Sequence, residues 1–445
     1  MAERKNDPIS AGELLDLGDA LATLDRVNPL RLSGRVTELT GLVLRAAIPG
    51  VRTGELTWID NGQSRIRAEV VGFRGDEVVL MPLGEASGIG PDSIVTPTGK
   101  PLTVMAGEGL LGRVLDGLGE PMDGGGVVAG AEEWAVDRPA PDPLTRRRVA
   151  QPLALGVRAI DGLATVGEGQ RLGLFAGPGV GKSTLMGQIA RNTDADVNVI
   201  CLVGERGREV SELLDDALGP AGRARSVVVC ATSDTPSLVR LKSTFVATAI
   251  AEWFRERGKR VLFMMDSLTR LARAQREVGL AAGEPPARQG YPPSVFALLP
   301  RLLERAGNGV RGSITGLYTV LVAGGDMEEP IADEVRGILD GHIVLSRALA
   351  DRGHWPAIDI LPSLSRVMPA VTDSEHRTAA TRIRAILAAY EKHRDLIVLG
   401  AYQPGSDVRT DEAIAKRDAI EAFLRQPSAE TTPFAETRRR LLALA

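Results

Sequence analysis

Cysteine is almost missing from this chain: 445 residues include only Cys201 and Cys230. Both fall inside apolar, strand-like runs, so they read as buried thiols of a reducing compartment, and no disulfide framework or zinc site is implied. Aromatic residues are equally scarce, at 4%, and the formal net charge is only −4, with the basic residues scattered. These shortages argue against a base-stacking platform and a nucleic-acid partner. The four histidines, His342, His354, His376 and His393, lack metal-ligand spacing. No apolar run reaches the roughly 18–20 residues of a membrane span, and the N-terminus has no signal-peptide core. A cytoplasmic protein is expected, one able to dock peripherally on a membrane complex.

The chain is too long for a single core and should divide into two or three domains. Residues 1–26 form an amphipathic segment. Ser10 and Glu13 make a capping box, Ile9 and Leu14 a hydrophobic staple, and Leu14, Leu17, Leu21 and Leu24 line one helical face. That stripe suits either core packing or a docking handle. Residues 27–97 alternate short strands, Gly34 to Val43 the first, with glycine and asparagine turns, which predicts a small closed β-barrel. A looser stretch follows, with Gly124-Gly125-Gly126 and the proline-rich Pro139–Pro143, then Arg146-Arg147-Arg148, a triplet that reads as a solvated patch. With this leading linker, residues 98–366 make the central domain, where apolar strands alternate with helices as in a parallel α/β sheet. Residues 367–445 are helical. The expected fold is therefore multidomain α/β.

The chemistry concentrates in the central region. Ala176-Gly177-Pro178-Gly179-Val180-Gly181-Lys182-Ser183-Thr184 lies between an apolar strand and a helix. Its glycines let backbone N–H groups turn inward around a phosphate, and the helix N-terminus adds its dipole. Lys182 reaches the β- and γ-phosphates, and the Ser183 hydroxyl can ligate Mg²⁺. The strict pattern has glycine where Ala176 stands, but the glycines at 177, 179 and 181 remain. A second element, Arg260 to Asp266, is an apolar strand that ends in a carboxylate, placed for nucleotide-bound Mg²⁺ or, alternatively, as a helix N-cap. In a third, Gly204-Glu205-Arg206, Glu205 stands at a strand tip where it can orient an attacking water; surface salt-bridging with Arg206, Arg208 and Glu209 is the alternative.

A fourth element, Trp355-Pro356-Ala357-Ile358-Asp359-Ile360-Leu361-Pro362-Ser363-Leu364-Ser365-Arg366, together with the spacing of the other three, resembles the signature of the rotary F-type and V-type ATPases and their secretion relatives. The resemblance implies a RecA-like P-loop core. It makes Glu205 the catalytic glutamate and Arg206 its neighbour in the phosphate pocket. Arg366 becomes an arginine finger inserted into the adjacent subunit's site, and Trp355 an aromatic that stacks on adenine, with a buried core tryptophan as the alternative. A narrower likeness, carried by Met265 to Leu280, Gly283-Glu284-Pro285-Pro286, Gly290 to Ser294, Gly312 to Thr315 and Asp340 to Arg347, is to the ATPases of type III protein secretion and flagellar export.

That family implies a homohexamer hydrolysing ATP with Mg²⁺ to release chaperones from export substrates and unfold them at the base of an injectisome or flagellum. Its implied partners are a stator-like regulator at the N-terminal segment, a central stalk facing the Gly279 to Pro293 loop, chaperone–substrate complexes, and an export gate at the inner membrane. Asp418 to Leu424 lean towards the injectisome branch. The competing readings are a catalytic subunit of a proton-linked ATP synthase, a non-catalytic nucleotide-binding ring subunit and a hexameric RNA translocase. The segment Ala401 to Asp407 departs from the acidic tip of the first, Glu205 beside Lys182 speaks for turnover against the second, and the few aromatics of the barrel region count against the third.

Overall fold

The structure, a computed structural model, describes residues 32–445. The amphipathic segment expected over residues 1–26 lies outside the described residues.

Six strands, β1 (Gly34–Thr40), β2 (Val43–Ala47), β3 (Glu55–Asp60), β4 (Arg65–Arg74), β5 (Glu77–Pro82) and β6 (Ile94–Pro101), close into a barrel in the order β1-β2-β5-β4-β3-β6. The period-two pattern sends Leu44, Ala46, Ala68, Val70, Val78 and Leu80 inward, where they fill it with Val36, Ile59 and Val95. The single strand expected from Gly34 to Val43 is two. The chain turns at Gly41, whose φ of +61° suits glycine, and β1 and β2 then pair antiparallel.

The stretch expected as a loose linker is partly built into the fold. It contributes β7 (Thr103–Ala106), β8 (Val114–Asp116) and β9 (Glu132–Ala135); β7 pairs with β9, whereas β8 joins the edge of the main sheet. The arginine triplet is a solvated patch only in part: Arg147 and Arg148 are exposed, but the guanidiniums of Arg146 and Arg147 are engaged. Arg146 donates to the carbonyls of Pro141 (3.1 Å) and Glu304 (2.6 Å), and Arg147 to those of Gly309 (3.0 Å) and Arg311 (3.1 Å). The two guanidiniums thus satisfy loop carbonyls that no strand partner reaches.

The main sheet comprises β8 and β10 (Arg171–Ala176), β11 (Val197–Glu205), β12 (Ser226–Thr232), β13 (Arg260–Asp266), β14 (Gly307–Asn308), β15 (Ser313–Leu321), β16 (Gly341–Leu345) and β17 (Ile358–Ser365). Its order is β17-β16-β10-β15-β13-β11-β12-β8, with β14 beside β15. All pairings are parallel except those of β14 and β17. Helices cover both faces, so every residue of β11 is buried. Its Val199, Cys201 and Val203 join one core and its Ile200 and Leu202 the other. Both cysteines are buried and unbridged. The helices Ser374–Val398, Val408–Leu424 and Phe434–Leu444 pack beside the Arg158–Leu163 helix. Among the described residues no helix is long and apolar enough to cross a membrane.

This topology aligns the C-terminal ends of β10, β11 and β13, where ligands sit in open α/β sheets. It sends β17 the other way. Ser365 pairs with Gly341, the first residue of β16, so Arg366 emerges at the opposite end of the sheet.

One buried ion pair joins the linker to the sheet's covering helices. Arg305 and Glu252, with side chains 1% and 2% exposed, are bidentate at 2.8 and 2.7 Å, and Arg305 Nη1 also donates to the Val136 carbonyl at 3.0 Å. Arg305→Met strands the Glu252 charge and should cost about 3–5 kcal/mol in denaturant unfolding, most of it recovered when Glu252→Met is added. A loss below about 1 kcal/mol in the single variant would contradict this.

Candidate active site

β10 ends at Ala176, Gly177 to Gly181 form the loop, and Lys182 opens the Lys182–Asn192 helix. Gly179 and Gly181 have φ of +74° and +78°. At Gly181 a Cβ would also come within 2.7 Å of Trp355 Cζ3, so both backbone and ring demand glycine there. Val180 is buried and pegs the loop, while Pro178, Ser183 and Thr184 are exposed. The unpaired N–H groups of the helix start and its dipole make this an anion site.

Beside the loop stands a buried charge cluster. Lys182 Nζ is ion-paired with Asp266 at the end of β13 and lies 3.7 Å from Glu205 Oε1 at the end of β11. Asp266 also accepts from Thr319 Oγ1 at 2.7 Å. The N-cap alternative for Asp266 is excluded: the cap of the Leu268–Ala281 helix is the Ser267 side chain, which accepts from Arg270 N. From that helix Arg270 reaches back, its Nη1 donating to Gly204 O (2.6 Å) and its Nη2 to Glu205 Oε2 (3.0 Å). Glu205 Oε1 is buried without a hydrogen-bond partner; Arg270 Nε is 3.0 Å away but not aligned to donate. The alternative of surface salt-bridging therefore fails for Glu205, which is 4% exposed.

Ser183, Glu205, Glu209 and Asp266 border a cavity of about 10 Å³, close to the size of one water or small ion. The donors are all oxygens, as a hard cation requires. Among the described residues no three His, Cys, Asp or Glu side chains converge as a metal site. A Mg²⁺ would thus lean on Ser183, Asp266 and phosphate oxygens, and the orphaned Glu205 oxygen marks a place for a further polar partner.

Burial, then the neighbouring Glu209 carboxyl and the Asp266 charge, push Glu205 up to about 8 against the pull of Lys182 and Arg270. Glu209 is lowered, first by the adjoining Glu205 carboxyl and then by Arg206 and Arg270.

Trp355 is not a core residue. It is 43% exposed at the edge of a cleft of about 610 Å³ lined also by Gly181, Thr184, Gln188, Gln426 and Pro427. Two other expected site residues stand apart. The Arg206 side chain is 78% exposed and paired with Glu209 at 3.3 Å, so the cation beside Glu205 is Arg270 instead. Arg366 is exposed at the far end of the sheet, its N–H bonded to Asp340 O at 2.9 Å. Arg270 carried a readable signal, since it lies one helical turn past Asp266 at the same sheet edge. Thr319 did not, because only the β13–β15 register brings it beside Asp266.

The ATP synthase alpha/beta family matches this chain twice, through its nucleotide-binding domain over residues 156–365 and its β-barrel domain over residues 36–99. The T3SS EscN ATPase C-terminal domain matches residues 372–443. A type 3 secretion system ATPase of Xanthomonas euvesicatoria is 55% identical over 410 residues, 92% of each chain. This chain belongs to the type III secretion and flagellar export ATPases. A flagellum-specific ATP synthase of Bacillus subtilis is 52% identical over 414 residues, covering 92% of this ATPase and 94% of that protein. The assembled ATPase EscN from the type III secretion system of enteropathogenic E. coli superposes with a TM-score of 0.88 at 46% identity, covering 92% of this ATPase and 99% of EscN. EscN in complex with its central stalk EscO gives 0.86 at the same identity and coverage.

The raised Glu205 carboxyl has a stability consequence. Its folded value, about 8, lies above its unfolded one, so its stabilising effect is full below about pH 4.5 and fades as pH climbs through 8. Glu205→Gln, which stays neutral, should melt progressively above the wild type, without nucleotide, as pH rises from 5 to 9. A melting difference independent of pH, or one that shrinks, would refute this.

Proposed function

We propose that this ATPase hydrolyses ATP at sites shared between neighbouring copies in a homohexameric ring, and that turnover drives type III protein export. The observation that carries the proposal is the convergence of Lys182, Asp266, Glu205 and Arg270 at one end of the sheet while Arg366 leaves from the other. The six residues of β10 alone separate those ends by about 17 Å. An arginine so placed can serve only a neighbour's site.

The loop amides of Gly177 to Thr184 cradle the phosphates, and Lys182 exchanges its Asp266 partner for β- and γ-phosphate oxygens. Trp355 offers its face to the base across the cleft. Glu205 orients a water on the γ-phosphorus, and with its affinity for protons near neutral pH it can take the proton released as the new P–O bond forms and the bond to the ADP oxygen breaks. Arg270 holds the glutamate in place from behind. Ser183 and Asp266 would hold Mg²⁺, which when bound neutralises charge on the phosphates. Arg366 of the adjacent copy stabilises the charge that builds on the transferred group. Arg206, exposed on the rim, is assigned to the same pocket once a neighbour covers it.

The partners follow from the family. EscN assembles and binds a central stalk, and in this ATPase the Gly279 to Pro293 loop is proposed to face an equivalent stalk. Residues 1–26 are assigned to a stator-like regulator, and chaperone–substrate complexes and the inner-membrane export gate complete a cytoplasmic, peripherally docked machine. Relatives of injectisome and flagellar service match almost equally, at 55% and 52%, so the proposal is for type III export as a class.

Glu205→Gln should bind ATP as the wild type does yet hydrolyse it at least about 10²-fold more slowly, because the carboxyl that takes the water's proton is lost. Titration with a fluorescent nucleotide and phosphate release read the two effects, and near-normal turnover would reject the role. Arg366→Ala should likewise keep its affinity while losing about 10³–10⁵ in turnover; wild-type activity in that variant would remove the shared site.

A further inference from the structure

The wall of the cleft facing Trp355 comes from the C-terminal region, through Arg425, Gln426, Pro427 and Ser428. Two buried side chains hold that wall in place. Arg158 is 3% exposed and sits on the short helix behind the cleft. Its Nε donates to Phe423 O at 2.9 Å, its Nη2 to Arg425 O, and its Nη1 to Thr432 Oγ1 at 3.2 Å while pairing with Glu430. Gln426, 2% exposed, accepts from Arg158 N at 2.8 Å through Oε1. Its Nε2 donates to Gly156 O (2.8 Å) and Glu430 O (3.0 Å), and its backbone N–H to Trp355 O (2.9 Å).

A guanidinium this deep is retained only when nearly every N–H finds an acceptor, and here the acceptors all belong to residues 423–432. The fork fixes the path of the chain on both sides of Gln426, and Gln426 in turn grips the backbone of Trp355. The same C-terminal element continues into the helices: Phe423 closes the Val408–Leu424 helix against Gly162, where a Cβ would meet its ring at 3.0 Å. The seat of those helices and the spacing of the two cleft walls are therefore one mechanical variable.

We propose that Arg158 and Gln426 are positioning residues that set the gap in which the nucleotide base is held, so that ATP affinity depends on how the C-terminal helices are seated. The proposal rests on the reading that Trp355 takes the base. A base is bound alike in ground and transition states, so a widened gap raises KM and leaves kcat in place. A staple that merely keeps the protein folded would instead lower the active fraction, reducing apparent kcat at constant KM.

The test is steady-state ATP hydrolysis by the full-length chain at one fixed protein concentration, with thermal melting alongside, for Gln426→Ala, Arg158→Lys and Trp355→Ala. Thr432→Val substitutes for Arg158→Lys should that variant fail to fold. Gln426→Ala and Arg158→Lys should raise KM about tenfold, the effect of losing one or two well-placed hydrogen bonds, with kcat within about twofold of wild type. An unchanged KM in both, or a fall in kcat at constant KM, overturns the proposal. Trp355→Ala separates the two layers. A raised KM there with normal KM in the other variants leaves the base reading standing and rejects the latch; an unchanged KM in Trp355→Ala rejects the base reading itself.

Discussion

Two cations, Lys182 and Arg270, and two carboxylates, Asp266 and Glu205, share a small buried volume where adjacent strands of a parallel sheet end. The strand ends and the loop around them hold Lys182, Asp266 and Glu205 largely out of water. Lys182 is neutralised by Asp266, which is itself held by Thr319. Glu205, pushed towards its neutral form by burial, leaves one oxygen unpartnered. An isolated buried charge would be prohibitive, but a compensated set that a triphosphate can rearrange is not. On the proposed reading, the site exchanges these internal pairs for ligand contacts.

The second constraint is directional. A parallel sheet gathers its ligand-binding tips at one end, and the antiparallel strand β17 leads Arg366 to the other. No side chain spans that distance, so on the proposed reading the chain holds the two halves of one site on opposite ends of a single domain. In the proposed assembly, ring formation joins them and keeps solitary copies from idle hydrolysis. The Arg158 and Gln426 clasp extends the same logic to the C-terminal helices, whose seat and the cleft beside Trp355 are fixed by common bonds.

Much of this was readable from residues alone, and the reason is local. The phosphate loop is contiguous, and Asp266 and Glu205 each terminate an apolar run, so strand, turn and helix signals sufficed. The barrel was legible as a barrel, although the turn at Gly41 hid one strand inside another. What stayed hidden depended on register or on carbonyls. Thr319 reaches Asp266 only through strand pairing, and Arg146 and Arg147 are spent on backbone oxygens that charge patterning cannot see. The direction of Arg206 was equally hidden: Glu205 turns inward at the strand tip, while Arg206 caps the next helix and faces solvent.

The claim that one site is assembled from two chains is tested most directly by mixing two inactive variants, Lys182→Ala and Arg366→Ala. Mixed rings contain interfaces where the intact phosphate loop of one chain meets the intact arginine of the other, so ATP hydrolysis should return on mixing and be absent from either variant alone. A mixture as inactive as its components, with assembly verified by size, would show that Arg366 does not complete a neighbour's site.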